Sequence, residues 1–420
     1  MTQDFDTLLQ KYADLIVHVG LNLQKGQALV ISGKNLFRGA PLSSAPLVRK
    51  IATSAYQAGA RLVDIQWDDA ESQLIRFRHA PRDSFGEYPT WRTRALLEYA
   101  ANADAIVSLY GEDPDLLKGQ DPKLVAQAQR TMENNMHEQM DLLMKNAYNW
   151  LLVSVPNPAW AAKIFPDLPA DQQIDALWQQ IFKLCRLDQP DPVAAWKKHI
   201  AQLKAVSKYL NDKHYDALHY TGPGTDLTLG LPDGHLWNSA QSDTQGGITF
   251  TPNLPTEEVF TLGDKNRAEG KLKATMPLSY GGRLMDDFSF IFKDGRIVEA
   301  KANKGEEVIK DILASDEGAS RVGEIALVPH SSPIAQSGLL FYNTLFDENA
   351  ASHIAIGRAY RFTLKGGETM SDAEFAAAGG NDSLVHVDFM IGSNQLDVDG
   401  LSKDGKAEPL MRKGEWAFKV

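Results

Sequence analysis

The chain has 420 residues, 43% apolar and 23% charged, with a formal net charge of −11 and one cysteine. That length and balance fit a globular chain of two or more domains. The negative charge argues against a general nucleic-acid binder, which needs a basic surface, and no run approaches the roughly 18 apolar residues of a membrane span.

The opening segment FDTLLQKYADLIVHVGLNL is acidic and amphipathic, without the basic stretch and apolar run of a secretory signal. ALVISG (28–33) reads as a buried strand, APLVRKIATSAYQAGA (45–60) as a helix and RLVDIQW (61–67) as a second strand. YPTWRTRALLEYAANA reads as helix, ADAIVSLYG (103–111) as strand, residues 122–147 as a long helix and NWLLVSVP (149–156) as a fourth strand. Strands separated by helices of this length imply right-handed crossovers and a mostly parallel sheet. No GxGxxG or GxxxxGK[ST] follows any of these strands, so a nucleotide site here has no support. Cys185, in the helix-like ALWQQIFKLCRL, reads as a buried small hydrophobe. It cannot form an internal disulfide, and single-cysteine usage fits a reducing cytoplasm.

After DQPDPV (188–193) one more long helix runs to about Asn211, and then the pattern changes. DLTLGL, ITFTPN, GKLKATMPLSY, DDFSFIFKDGRIVEAKA, EIALVP, HIAIG, AYRFTL and LVHVDFMIG are short alternating runs separated by Gly, Asn or Asp. KDGR (293–296) marks a tight hairpin, and EEVIKDILAS (306–315) a helix. The expected fold is an α/β amino-terminal domain with a mostly parallel sheet, residues 1–190. A β-rich α+β carboxyl-terminal domain, residues 191–420, follows it.

Two motifs lead nowhere. HEQMD (137–141) nearly spells the zinc-protease HExxH, but the last position is Asp141, and Met136, Met140 and Leu143 form the apolar stripe of that helix. The serines of PHSSPIAQSG lack a nucleophile elbow. DSLVHVDFMIG (381–391) is more informative. In a strand, His386 and Asp388 share one face, with Val385, Val387 and Phe389 on the other. A buried carboxylate needs a partner or a metal. NLPTEEVF, GEIALV and ENAASHIAIGRAY likewise set carboxylates or imidazoles beside strand-like runs, and together they supply O and N donors suited to Zn²⁺, Co²⁺ or Mn²⁺.

PTEEVFT, GEIALVPHSSPI, FYNTLFDENAASHIAIGRAY and HVDFMIGS, with GTDLTLGLPDGHLW upstream, resemble the aminopeptidase T/AmpS/PepS family of metal-dependent aminopeptidases. The likeness covers nearly the whole chain, more diffusely in its first half. It implies metal ligands at Glu258, Glu324, His353, His386 and Asp388, and a catalytic-site tyrosine at Tyr360. A proton acceptor is implied at Glu324 or at Glu257. It further implies two divalent ions per subunit (Zn, Co, Mn or Mg), short peptides with a free amino terminus as substrates, a cytoplasmic location and a homodimer. The interval from Tyr360 to His386 is slightly long for the family, which an insertion around GGETMSDAEFAAAGGND would explain. Two divalent ions would be balanced by Glu258, Glu324, Asp388 and one hydroxide, so the buried site would be neutral. Two alternatives share parts of this reading: a di-metal amidase or dipeptidase on another small amide, and a non-catalytic peptide- or metal-binding protein.

Overall fold

The structure, a computed structural model, describes residues 5–33, 39–111, 113, 115–280 and 283–420. The chain divides into two compact units, residues 1–199 with 241–255, and residues 200–240 with 256–420.

The first unit is built on a five-stranded sheet in which every pairing is parallel. Four strands, Ala28–Gly33, Leu62–Ile65, Ala105–Tyr110 and Trp150–Ser154, fall where the apolar runs predict them. Helices Ala45–Gln57, Trp91–Ala101 and Pro122–Met144 connect them. The core beside the central strands gathers Val30, Leu96, Ile106, Met136 and Tyr148. Asp104, just before the strand Ala105–Tyr110, is buried and accepts hydrogen bonds from the Ala28 amide (2.7 Å) and the Arg61 guanidinium (2.5 and 2.7 Å). It thus pins the starts of neighbouring strands. The fifth strand, Asn253–Leu254, comes from far along the sequence and pairs with Leu152 and Val153. The near-HExxH histidine lies on an exposed face, where His137 Nδ1 is 3.5 Å from Asp141 Oδ1. Among the described residues, no helix is long and apolar enough to cross a membrane.

In the second unit a nine-stranded sheet is antiparallel throughout. Its longest hairpin, Arg283–Lys293 with Arg296–Lys304, turns at Asp294 and Gly295, both with positive φ, as KDGR predicts. The helix Glu306–Leu313 follows. A separate four-stranded antiparallel sheet carries the candidate site: β1 (Val259–Leu262), β2 (Val322–Leu327), β3 (His353–Gly357) and β4 (His386–Met390), paired in that order. Phe389, on the apolar side of β4, packs edge-on against Phe290 and Phe288, at centroid separations of 5.1 and 6.0 Å. The stretch between Tyr360 and β4 is ordered. Its helix Asp372–Ala377 is closed by a Ser371/Glu374 capping box, and its Phe375 is buried under the Arg361 guanidinium.

The loop around His235 holds the segment after Tyr360. Leu236 N–H donates to Thr363 O (2.7 Å) and Lys365 N–H to Gly234 O (2.8 Å). His235 itself is buried and stacked on His214 at 4.6 Å, with Nδ1 on the Pro232 carbonyl and Nε2 without a partner. Burial lowers its pKa to about 4; the Pro232 carbonyl and Asp233 and Asp216 oppose this, and His214 adds to it. The unfolded value is about 6.5, so His235 contributes full stability above that pH and loses it as pH falls toward 4, by about 3 kcal/mol in all. Urea unfolding of His235→Phe beside the wild type, from about pH 7 to pH 4, is expected to show a shallower acid decline in the variant; identical slopes would contradict this role.

Candidate metal centre

The register of the four-stranded sheet decides which side chains meet. Glu324 on β2 lies opposite Leu262 on β1 and Ala355 on β3; Ala326 lies opposite Phe260 and His353. On β4, Asp388 pairs with Ala355 and His386 with Gly357. One face of the sheet therefore presents Glu324, His353, His386 and Asp388 around a floor of Ala326, Ala355 and Gly357. Small residues in the middle leave space above them, and larger ligating side chains reach in from the neighbouring positions. Glu258, immediately before β1, completes the group. Gly357 is required as glycine: its φ is +97°, and a Cβ there would lie 2.1 Å from the Val385 carbonyl oxygen.

The sequence-predicted ligands converge in two groups. Donor atoms of Glu258, Glu324 and His353 all lie within 4.8 Å of one another, as do those of Glu324, His386 and Asp388. Glu324 belongs to both. His353 Nε2 is 3.2 Å from Glu258 Oε2 and 3.9 Å from Glu324 Oε1; His386 Nε2 is 3.6 Å from Glu324 Oε2 and 3.3 Å from Asp388 Oδ1. Both imidazoles turn Nδ1 to a main-chain carbonyl, His353 to Ala351 (3.1 Å) and His386 to Arg358 (2.7 Å). A carbonyl can only accept, so Nδ1 carries hydrogen and Nε2 faces the carboxylates, the arrangement that orients metal-binding histidines.

Electrostatics point the same way. Burial pushes the Glu324 carboxyl up to about 8, with Asp388 and Glu258 adding to the rise and His386 opposing it. For His353, burial would lower the pKa, but the hydrogen bond and charge of Glu258 outweigh it and raise it to about 10. His386 is likewise raised to about 9, burial opposing and Asp388 and Glu324 prevailing. Burial would raise Asp388, yet the charge of His386 holds it below the usual carboxylate range. The cluster thus draws positive charge strongly.

Do these residues fit divalent cations? Glu324 Oε2 is buried and accepts no hydrogen bond, and the buried Glu258 Oε2 has only the His353 ring nitrogen beside it, at 3.2 Å. A buried oxygen such as Glu324 Oε2 costs about 1–3 kcal/mol when left unsatisfied. A cation shared between two O/N donor groups would satisfy both, and the set contains no thiolate, as expected for hard or borderline divalent ions. The donor chemistry fits.

Tyr360 is half-buried beside the cluster, its ring 5.1 Å from that of His386 and flanked by Phe260 and Phe362. Burial, and after it the charges of Glu324 and Asp388, raise its pKa well above 10, so the phenol remains a hydrogen-bond donor. Glu257 is buried but belongs to neither donor group; its N–H donates to Asn349 Oδ1. Sequence reasoning passed over Glu348. Its turn, Glu348–Ala350, lies against β4, and burial and then the fields of Glu258 and Asp388 push its carboxyl well above the ordinary range. It occupies a single 3-10 turn, Glu348–Ala350, where no periodicity marks a facing. The only signal was an acidic residue five positions before a candidate ligand, inside a family-like stretch.

Comparison with known proteins shows the family of the chain. Residues 5–416 match the family described as thermophilic metalloprotease (M29). Aminopeptidase 2 of Geobacillus stearothermophilus is 48% identical over 412 residues, covering 98% of each chain. Aminopeptidase AmpS of Bacillus subtilis (strain 168) is 44% identical, covering 99% of each. The structure of wild-type AmpT from Thermus thermophilus superposes with a TM-score of 0.91 at 42% identity, covering 99% of this chain and 100% of that one.

Gly357→Ala is expected to destabilise the protein by about 2 kcal/mol or more, combining positive-φ strain with the clash against β4. Denaturant unfolding checks this, and an unchanged midpoint would mean the β3–β4 register is not set by this glycine.

Proposed function

The chain belongs to the thermophilic metalloprotease (M29) family and is a metal-dependent aminopeptidase; from that premise we propose that it releases the amino-terminal residue of short peptides at a two-cation centre on the face of β1–β4. The observation that carries this reading is the sharing of Glu324 between two donor groups, Glu258 with His353 and His386 with Asp388. Two divalent cations held there would supply Lewis acidity to a water and the scissile carbonyl, and a position for the substrate's free α-amino group.

The protein's own groups do the rest. Nδ1–H bonds to Ala351 and Arg358 fix both rings so that Nε2 points inward. Tyr360 donates its phenolic hydrogen to the oxyanion that develops on the carbonyl, a contact typically worth about 10²–10³ in rate. Glu324 is committed to both donor groups, and the proton acceptor is assigned to Glu348, whose 3-10 turn lies against β4 and whose carboxyl is raised first by burial and then by Glu258 and Asp388. Its carboxyl, partly buried and raised by that burial and by its neighbours, takes a proton from water and returns it to the leaving amine. Zn²⁺, Co²⁺, Mn²⁺ and Mg²⁺ all suit O/N donors.

Hydrolysis of a leucyl chromogenic amide, with metal content measured alongside, tests this directly. Chelation is expected to abolish activity and added Co²⁺ or Zn²⁺ to restore it, while an N-acetylated peptide stays uncut. His386→Ala is expected to lose metal and turnover together. Tyr360→Phe and Glu348→Gln should keep their metal and lose about 10²–10³ and 10²–10⁴ in kcat. Activity surviving exhaustive chelation, or cleavage of the acetylated peptide, would contradict the reading.

We further place the enzyme in the cytoplasm as a homodimer, in keeping with its single buried cysteine and with the family resemblance. Light scattering on the purified protein should return twice the 46.3 kDa chain mass; a monomer would contradict the dimer.

A further inference from the structure

Most of the site is held by ladder hydrogen bonds, but two of its carboxylates are not. Glu258 precedes the first residue of β1, and Glu348 sits in a lone 3-10 turn. What fixes them lies between them. Asn349 is completely buried. Its Oδ1 accepts the N–H of Glu257 at 2.7 Å, and its Nδ2 donates to the Leu345 carbonyl at 3.0 Å and lies 3.4 Å from Glu348 Oε1. Its own carbonyl accepts the Ser332 hydroxyl at 2.7 Å. Ser332 in turn caps the short helix Pro333–Ser337, on the chain leaving β2. One residue therefore ties the segment entering β1, the segment leaving β2 and the segment entering β3.

The polarity of the carboxamide matters. An N–H of the main chain needs an acceptor, and a carbonyl and a carboxylate each need a donor; an amide supplies one acceptor and two N–H donors together, where a hydroxyl or a neutral imidazole has a single donor. Alanine meets neither, and leucine keeps the volume while meeting neither. Buried polar groups left unpaired at Glu257 and Leu345 would drive the two segments apart or admit water.

We propose that Asn349 is a positioning residue of the metal centre: the two ends of its amide set Glu258 and Glu348 onto the site, one through the Glu257 backbone and the other through the Glu348 carboxylate. This inference rests on the metalloaminopeptidase reading above. Outer hydrogen-bond partners of this kind typically alter metal affinity by about 10–100-fold.

The test is Co²⁺ titration of metal-depleted full-length protein, followed by visible absorption, for wild type, Asn349→Ala, the volume-conserving Asn349→Leu and Ser332→Ala, with thermal unfolding of each. Expected are Co²⁺ dissociation constants about 10–100-fold weaker in both Asn349 variants, an altered Co²⁺ spectrum, and kcat that recovers as Co²⁺ is raised. Ser332→Ala, which leaves the carboxamide in place, should lower the unfolding temperature while binding Co²⁺ as the wild type does. Wild-type-like Co²⁺ affinity in folded Asn349→Ala or Asn349→Leu would overturn the proposal alone. No Co²⁺ uptake by the wild type would overturn the underlying reading and the proposal with it.

Discussion

Gathering several carboxylates and two imidazoles onto one largely buried sheet face is the constraint on which the rest of this structure depends. Unpaired, such groups would cost far more than a domain's net stability. The second unit satisfies them by register. Antiparallel pairing of β2, β3 and β4 brings Glu324, His353, His386 and Asp388 together above alanines and a glycine. The opposite side of β4 is anchored by Phe389 against Phe288 and Phe290. Alternation along one short strand thus serves two ends, holding the strand down and aiming its ligands up. Two divalent cations would balance Glu258, Glu324, Asp388 and one further negative charge. In the proposed reaction the proton that water loses passes to Glu348, so the total charge of the site stays the same.

Much of this was legible in the sequence, for identifiable reasons. Ala28–Gly33 and Ala105–Tyr110, buried at every position, read as continuous apolar runs, and Trp150–Ser154 and the partly exposed edge strand Leu62–Ile65 could also be placed within a few residues. KDGR declared its hairpin because two consecutive positive-φ positions favour Asp and Gly. The ligand face of β4 was visible from His386 and Asp388 alone, since a polar pair at spacing two amid apolar neighbours has few other uses. The remaining ligands were named by family resemblance, and the spatial grouping of all five became apparent only from the register.

What stayed hidden depended on long-range contact rather than on pattern. Asn253–Leu254 is two residues long and joins the parallel sheet of the first unit from a stretch surrounded by β-rich sequence. Glu348 and Asn349 lie in a single turn with no repeat to assign a face, and their partners are encountered 92 residues away at Glu257 or across the sheet. His235 carries no mark in the sequence, because its stack on His214 and the hold of its loop on the segment after Tyr360 are tertiary contacts. Conversely, HEQMD had a striking local spelling and no tertiary support. Local sequence reports which groups are present; only packing decides which of them share a site.

Crystals of the Zn²⁺-loaded protein, measured on both sides of the zinc absorption edge, would test the central claim most directly. Two anomalous peaks per chain are expected, one contacted by Glu258 and His353 and the other by His386 and Asp388, with Glu324 touching both. A single peak, or density bound elsewhere with these five side chains uninvolved, would contradict the account.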